Sequence, residues 1–288
     1  SRTNVQGVFD MAVTDANGDY TRYTNVADVD TVEATPGSWV QAGALVHVHT
    51  PDSRAADANV FVSLIQYNGD AIGNITVYLE NLTFQGGITA LRFISSAAGQ
   101  MPKLYAKNCK FQYSTNGNGL TLTGIDTAIL QGCEASANYL DGFNYHAGDA
   151  IVPRAIEIDC LARDNGVTAA DTSNGSSIHD GGSVVRINGN YQSNKGPNVV
   201  EDGALESWNL GTHASDSNAT AAGQNADFMM GTSGAMWLDY CTSNGSTFGI
   251  VAGSSTTIYK LQTRATVADS GSGAIYERII PAESAQGQ

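Results

Sequence analysis

Three ionisable side chains stand two residues before a glycine in successive alternating segments. They are His146 in GFNYHAG (142–148), His179 in SSIHDGG (176–182) and Glu201 in NVVEDG (198–203). The equivalent positions of GLTLTG (119–124), DFMMG (227–231) and FGIVAG (248–253) hold Leu122, Met229 and Val251. An apolar column therefore turns ionisable over three segments and turns back, with Asp180 and Asp202 beside it. On adjacent strands such groups would stand about 5 Å apart and shift one another's pKa values. A histidine there can transfer protons while a carboxylate orients it. Two carboxylates can hydrolyse a glycosidic bond, and histidine with carboxylates can hold a divalent cation. In a depolymerase, Glu201 and Asp180 would form the carboxyl pair, and His146 and His179 would move protons or orient substrate. The plain alternative is a polar column facing solvent. The Gly181-Gly182 pair leaves one residue of ambiguity, which would exchange Asp180 for His179.

Other residues could build a binding surface around this column. Tyr145, Tyr191 and Trp237, if exposed, could stack on sugar rings, with Asp141 and Asn144 close by in the chain. Trp208 aligns with Ile156 and Val185 and is read as core. An insertion, GVTAADTSNG (166–175), would wall one side of a cleft. Asp15-Ala16-Asn17-Gly18-Asp19 is similar to the start of a calcium loop, but Val26 occupies the twelfth position, where such a loop closes with Glu. It is read as a turn.

These residues need short strands to position them. Units of roughly 20–30 residues recur about eight times from Asn74 to Ile279, each a strand, an Asn/Ser/Gly turn, a second strand and Gly. The segments AIEIDCLARDNG (155–166), SVVRINGNYQSNKG (183–196) and LESWNLGTHASDSN (205–218) superimpose well. Alternation of period two places Ile156, Ile158, Val185, Ile187, Trp208 and Leu210 inside, and Glu157, Arg186 and Asn209 outside. Asn138, Asn165 and Asn194 follow Cys133, Cys160 and Gly189 by five residues, as a stacked amide ladder would. Cys109, Cys133 and Cys160 then read as small inward residues. No helix-length periodicity interrupts the strands, so the expected fold is an all-β parallel solenoid of about 8–10 coils over residues 58–279. Residues 1–57 are expected to form an N-terminal cap and lead-in strands, with a hairpin about Asn17-Gly18. Residues 280–288 are read as a C-terminal tail.

Composition agrees with a turn-rich β protein and excludes several functions. The 288 residues include 32 Gly and 6 Pro, with 42% hydrophobic and only 15% charged side chains. A net charge of −14 repels phosphate backbones and anionic lipid, so neither nucleic acid nor membrane insertion is expected. It suits neutral sugars and bound divalent cations such as calcium, although no cofactor is required by any motif.

The coil period, the Asn ladder and the strand-Gly rhythm resemble the right-handed parallel β-helix proteins of the pectate-lyase-like superfamily. That superfamily includes polysaccharide lyases, mannuronan epimerases and phage tailspikes. The segment GSWVQAGALVHVHTPDSRAADANVFV (37–62) looks like the lead-in to the first coils of its phage-type members. YLDGFNYHAG (139–148) is similar to the epimerase stretch Gly-Phe-Asp-Pro-His at Gly142, Phe143 and His146, with Asn144 where the family has its catalytic Asp and Tyr145 in place of Pro. The resemblance implies a single-stranded right-handed β-helix on a virion or cell surface, extracellular and homotrimeric. Its partner would be a bacterial surface polysaccharide, recognised in the manner of a tailspike and open to depolymerisation. A free secreted lyase or hydrolase, and a non-catalytic adhesive solenoid, are the competing expectations.

Overall fold

Strands mostly of three to six residues alternate with corners that few residue types can turn. After the strands that end at Lys107, Gln131, Ile158, Ile187 and Leu210, the next residue has a positive φ: Asn108 (50°), Gly132 (59°), Asp159 (52°), Asn188 (53°) and Gly211 (62°). Asn, Asp and Gly tolerate this left-handed backbone best, which is why they punctuate the sequence so regularly. A second corner repeats the device less strictly at Tyr113, Ala137, Asp164, Ser193 and Asp216.

The computed structural model describes residues 4–64, 66–95, 97–149, 151–167 and 172–279. It is nearly all β, with three long parallel sheets of nine, nine and eight strands. The chain passes through them in rotation. A long strand such as Lys103–Lys107 enters the long sheet, Lys110–Gln112 the short sheet, and Leu120–Thr123 the third sheet. The next pass begins at Thr127, which pairs in parallel with Lys103. This connectivity is consistent with a parallel β-helix solenoid. The first strands of the three stacks are Asp70–Ile72, Thr76–Glu80 and Thr83–Gln85. Among the described residues, no helix is long and apolar enough to cross a membrane.

Two internal columns hold successive passes together. Asn138 Nδ2 donates to Asn165 Oδ1, Asn165 Nδ2 to Asn194 Oδ1 and Asn194 Nδ2 to Asn198 Oδ1, each at 2.9 Å. Asn198 Nδ2 then reaches Asp227 Oδ1, also at 2.9 Å. Three of these amides also donate to a buried backbone carbonyl, at Phe111, Ala135 and Ala162. The thiols of Cys133, Cys160 and Cys241 lie 3.2–3.5 Å from carbonyl oxygens of the preceding pass, and Thr212 and Thr263 make the same contact through their hydroxyls. All four cysteines are free and buried.

The phase of the long sheet is the reverse of the sequence expectation. Glu157, Arg186 and Asn209 are fully buried, whereas Trp208 is 48% exposed. Alternation is preserved, but the polar set points inward. The reason is partnership rather than hydrophobicity. Glu157 accepts from Tyr145 Oη (2.9 Å), Tyr191 Oη (2.6 Å) and Ser176 Oγ (2.7 Å). Arg186 donates to Glu201 Oε1 (2.5 Å) and Ser176 Oγ (2.9 Å). Buried charge survives only when paired and hydrogen-bonded. Here all three sheets contribute: Glu157 and Arg186 from the long sheet, Tyr191 from the short sheet, and Tyr145, Ser176 and Glu201 from the third. Inward neighbours on the long sheet, Ala128 and Ala155, are small and leave volume for these side chains. Apolar stacking continues on either side through Phe93, Phe111, Leu120, Leu122, Phe143 and Phe228, each burial worth ~2–3 kcal/mol.

Residues 4–64 build two small sheets and a helix, Val29–Ala34. Val5–Thr14 and Tyr20–Arg22 form the expected hairpin, with Gly18 (φ 83°) in its turn. Val60–Leu64 pairs antiparallel with the first of these strands. The hairpin lies against the short sheet. Tyr20 stacks on Tyr113 at 4.8 Å, and Asp19 takes a bidentate pair of bonds from Arg163.

Candidate functional site

The outward side of the third sheet carries the histidines. Strands Phe143–His146, Ser176–His179 and Val199–Asp202 pair in register, Asn144 beside Ser177 and His179 beside Asp202. Thr123 pairs with His146, so this column reads Thr123, His146, His179, Asp202. The column was expected to run through Glu201. Glu201 instead pairs with Ile178 and Met230 and faces the core with no exposed surface. Counting back from the glycines misplaces it by one residue, because Ala147 and Asp180 each add a residue between the outward histidine and its glycine. Asp202, beside it, takes the outward place.

The two imidazoles stack face to face, centroids 4.2 Å apart and planes 2° from parallel. His146 Nδ1 lies 3.1 Å from Asp180 Oδ2. A carboxylate only accepts, so Nδ1 is the donor in this bond. Asp180 has φ 61°, which turns its side chain back over the preceding strand. Burial, reinforced by the neighbouring His146, holds the His179 pKa below its usual value of 6.5. His179 is therefore a neutral base at physiological pH.

A polar cradle lies two residues back on the same face. Asp141 accepts from Asn144 Nδ2 (2.7 Å), Ser177 Oγ (2.6 Å) and the Asn174 backbone N–H (2.8 Å). Its lone pairs are committed, so Asp141 anchors the surface rather than attacking a substrate. Asn144 stands where the epimerase stretch has Asp, and its amide bridges Asp141 and Ser177 (3.0 Å). Asp141, Asn144, Asn174 and the two histidines, with Asn118, Thr172, Val200, Met229 and Asp202, line a groove of about 540 Å³, and Ser177 supports it from beneath. Thr172 and Asn174 belong to the inserted segment expected to form a wall, of which residues 168–171 lie outside the described residues.

The remaining candidates lie elsewhere. Tyr145 and Tyr191 are not surface platforms. Both are fully buried, with their hydroxyls on Glu157, and burial and that carboxyl push both phenols well above 10. Trp237 is on the outward side of the long sheet, stacked 5.5 Å from Tyr259, away from the histidine groove. Sequence reasoning missed Ser177 and Asn174, whose part depends on strand register and a loop path. Among the described residues, no group of three or more His, Cys, Asp or Glu side chains is arranged to hold a metal ion.

Comparison with protein-family models, curated proteins and solved structures finds no match.

Proposed function

We propose that this chain is a right-handed parallel β-helix of the tailspike kind, capped at its N-terminus and displayed on a virion or cell surface, that recognises a bacterial polysaccharide in the histidine groove. The observation that carries this reading is the stacked His146–His179 pair set beside the Asp141–Asn144–Ser177 cradle. Fixed hydrogen-bonding side chains above an apolar patch, here Val200 and Met229, suit sugar hydroxyls and C–H faces respectively. The carboxylates of Asp141 and Asp202 favour a neutral or amino sugar over a uronate.

Cleavage in the same groove is a second reading, supported by the oriented His146 and neutral His179. Hydrolysis would use His179 as proton acceptor, with Asp202 and the His146-bound Asp180 as the neighbouring carboxyls. The test is incubation with a panel of bacterial surface polysaccharides, following retention, reducing ends and unsaturated-uronate absorbance together. Retention with new reducing ends and no absorbance is expected of a hydrolase, and retention alone of a recognition protein. No retention across the panel by wild type, or equal retention by His179→Ala, would overturn the reading.

A further inference from the structure

The long sheet presents an unbroken apolar ladder to the outside. Parallel pairing puts Tyr78, Tyr105, Ile129, Ile156, Val185, Trp208, Trp237, Tyr259 and Tyr276 in one column, one residue per strand. Two residues further along, Ile158, Ile187 and Leu210 widen it over three strands, before Asp239 interrupts that column ahead of Leu261. Trp208, Leu210, Tyr78 and Tyr276 are all exposed. A groove of about 360 Å³ runs along the middle, over Ile156, Val185, Trp208 and Trp237. Soluble monomers seldom leave so long an apolar surface open.

We propose that this face docks against the same face of a second copy of the chain. The ring geometry disfavours a sugar. Trp237, Tyr259 and Tyr276 stack on one another at 5.5 and 5.8 Å with interplanar angles of 19° and 24°. Their faces are occupied and their edges point outward, whereas a pyranose needs a free ring face. Most of the surrounding charges are already neutralised within the chain: Lys107 by Glu80, Arg154 by Asp126, Lys260 by Asp269 and Glu277, and Arg278 by Asp239, with Glu206 left at the edge of the groove. The Trp208 indole N–H is also satisfied, 2.9 Å from Asp239 Oδ2. A charged partner would gain little here, and an apolar one would leave only Glu206 unpaired, at the rim. The area fits as well. Nine strands at ~4.8 Å and five residues at ~3.3 Å give a face of ~600–700 Å² before side-chain relief, close to the ~800 Å² per partner of a stable interface. Two such ladders meeting face to face make an isologous, closed contact.

Sedimentation velocity over a concentration series tests this, with Trp208→Glu and Val185→Glu as single variants and circular dichroism as the check on folding. Both side chains point outward, so folding is expected to survive. Wild type is expected at twice the 30.1 kDa chain mass, and each variant at the monomer mass. A monomeric wild type at all concentrations would overturn the proposal. So would folded variants that associate as wild type does, or a polysaccharide whose retention is lost only in these two variants.

Discussion

The neutral state of His179 depends on its burial and on the imidazole stacked against it. Its titration, followed by its imidazole NMR signals, is expected to have a midpoint below 6.5. Replacing His146 with Ala removes one of the two influences, so the midpoint should rise toward the ordinary value. Glycan retention that requires neutral His179 should persist below pH 6.5 in wild type and fail at a higher pH in His146→Ala. A midpoint unmoved by His146→Ala would contradict this. Inside the fold, Arg186 compensates two carboxyls. Burial pushes Glu201 upward and Arg186 opposes it, while the carboxyls of Glu201 and Glu157 more than offset the desolvation that would lower Arg186. Arg186→Met leaves both acids buried without their cation. Denaturant unfolding should then show a loss of ~3–5 kcal/mol, with partial recovery in the Arg186→Met/Glu201→Gln double variant. Equal loss in both variants would contradict that coupling.

Among the elements, the Asn ladder gives the most direct test. Asn165 accepts from the Asn138 side chain and backbone and donates to Asn194 and to the Ala135 carbonyl. Asn165→Ala leaves buried donors and acceptors on both neighbouring passes without partners. A loss of ~2–4 kcal/mol is expected by chemical denaturation, whereas a change under 1 kcal/mol would mean that the ladder is ornamental. This ladder was legible in the sequence because equal spacing of one residue type is a direct image of stacking. The phase of the long sheet was not. Glu157, Arg186 and Asn209 look like surface residues when each segment is read alone. Read down the column they continue Leu79, Ala106 and Leu130 and are followed by Leu238, while the other phase collects Tyr78, Tyr105, Trp208 and Trp237. Size and partnership decided what the hydrophobic pattern could not. The histidine pair was visible as two strand-end residues, but its carboxylate neighbour was displaced by one residue, and one residue turns a strand side chain over. That slip exchanged the core residue Glu201 for Asp202.

At the scale of the whole molecule, stability should carry the signature of its buried acids. Desolvation raises Asp227 from 3.8 to about 6 despite bonds from Ser243, Ser246 and Asn198. The native state therefore holds a proton there that the unfolded chain releases near pH 4. This contribution is full below about pH 4 and is lost as pH rises through about 6. The stability of Asp227→Asn minus that of wild type should grow across that interval by up to ~3 kcal/mol and then level off. A difference independent of pH would contradict the assignment. The histidine groove and the apolar ladder lie on different sheets, so sugar recognition and self-association should be separable by mutation. The most direct measurement is retention of the purified protein on immobilised bacterial surface polysaccharides, with His179→Ala and Trp208→Glu run alongside. At least one polysaccharide should retain wild type and Trp208→Glu and release His179→Ala. Retention of His179→Ala at wild-type strength would contradict the central assignment of the groove.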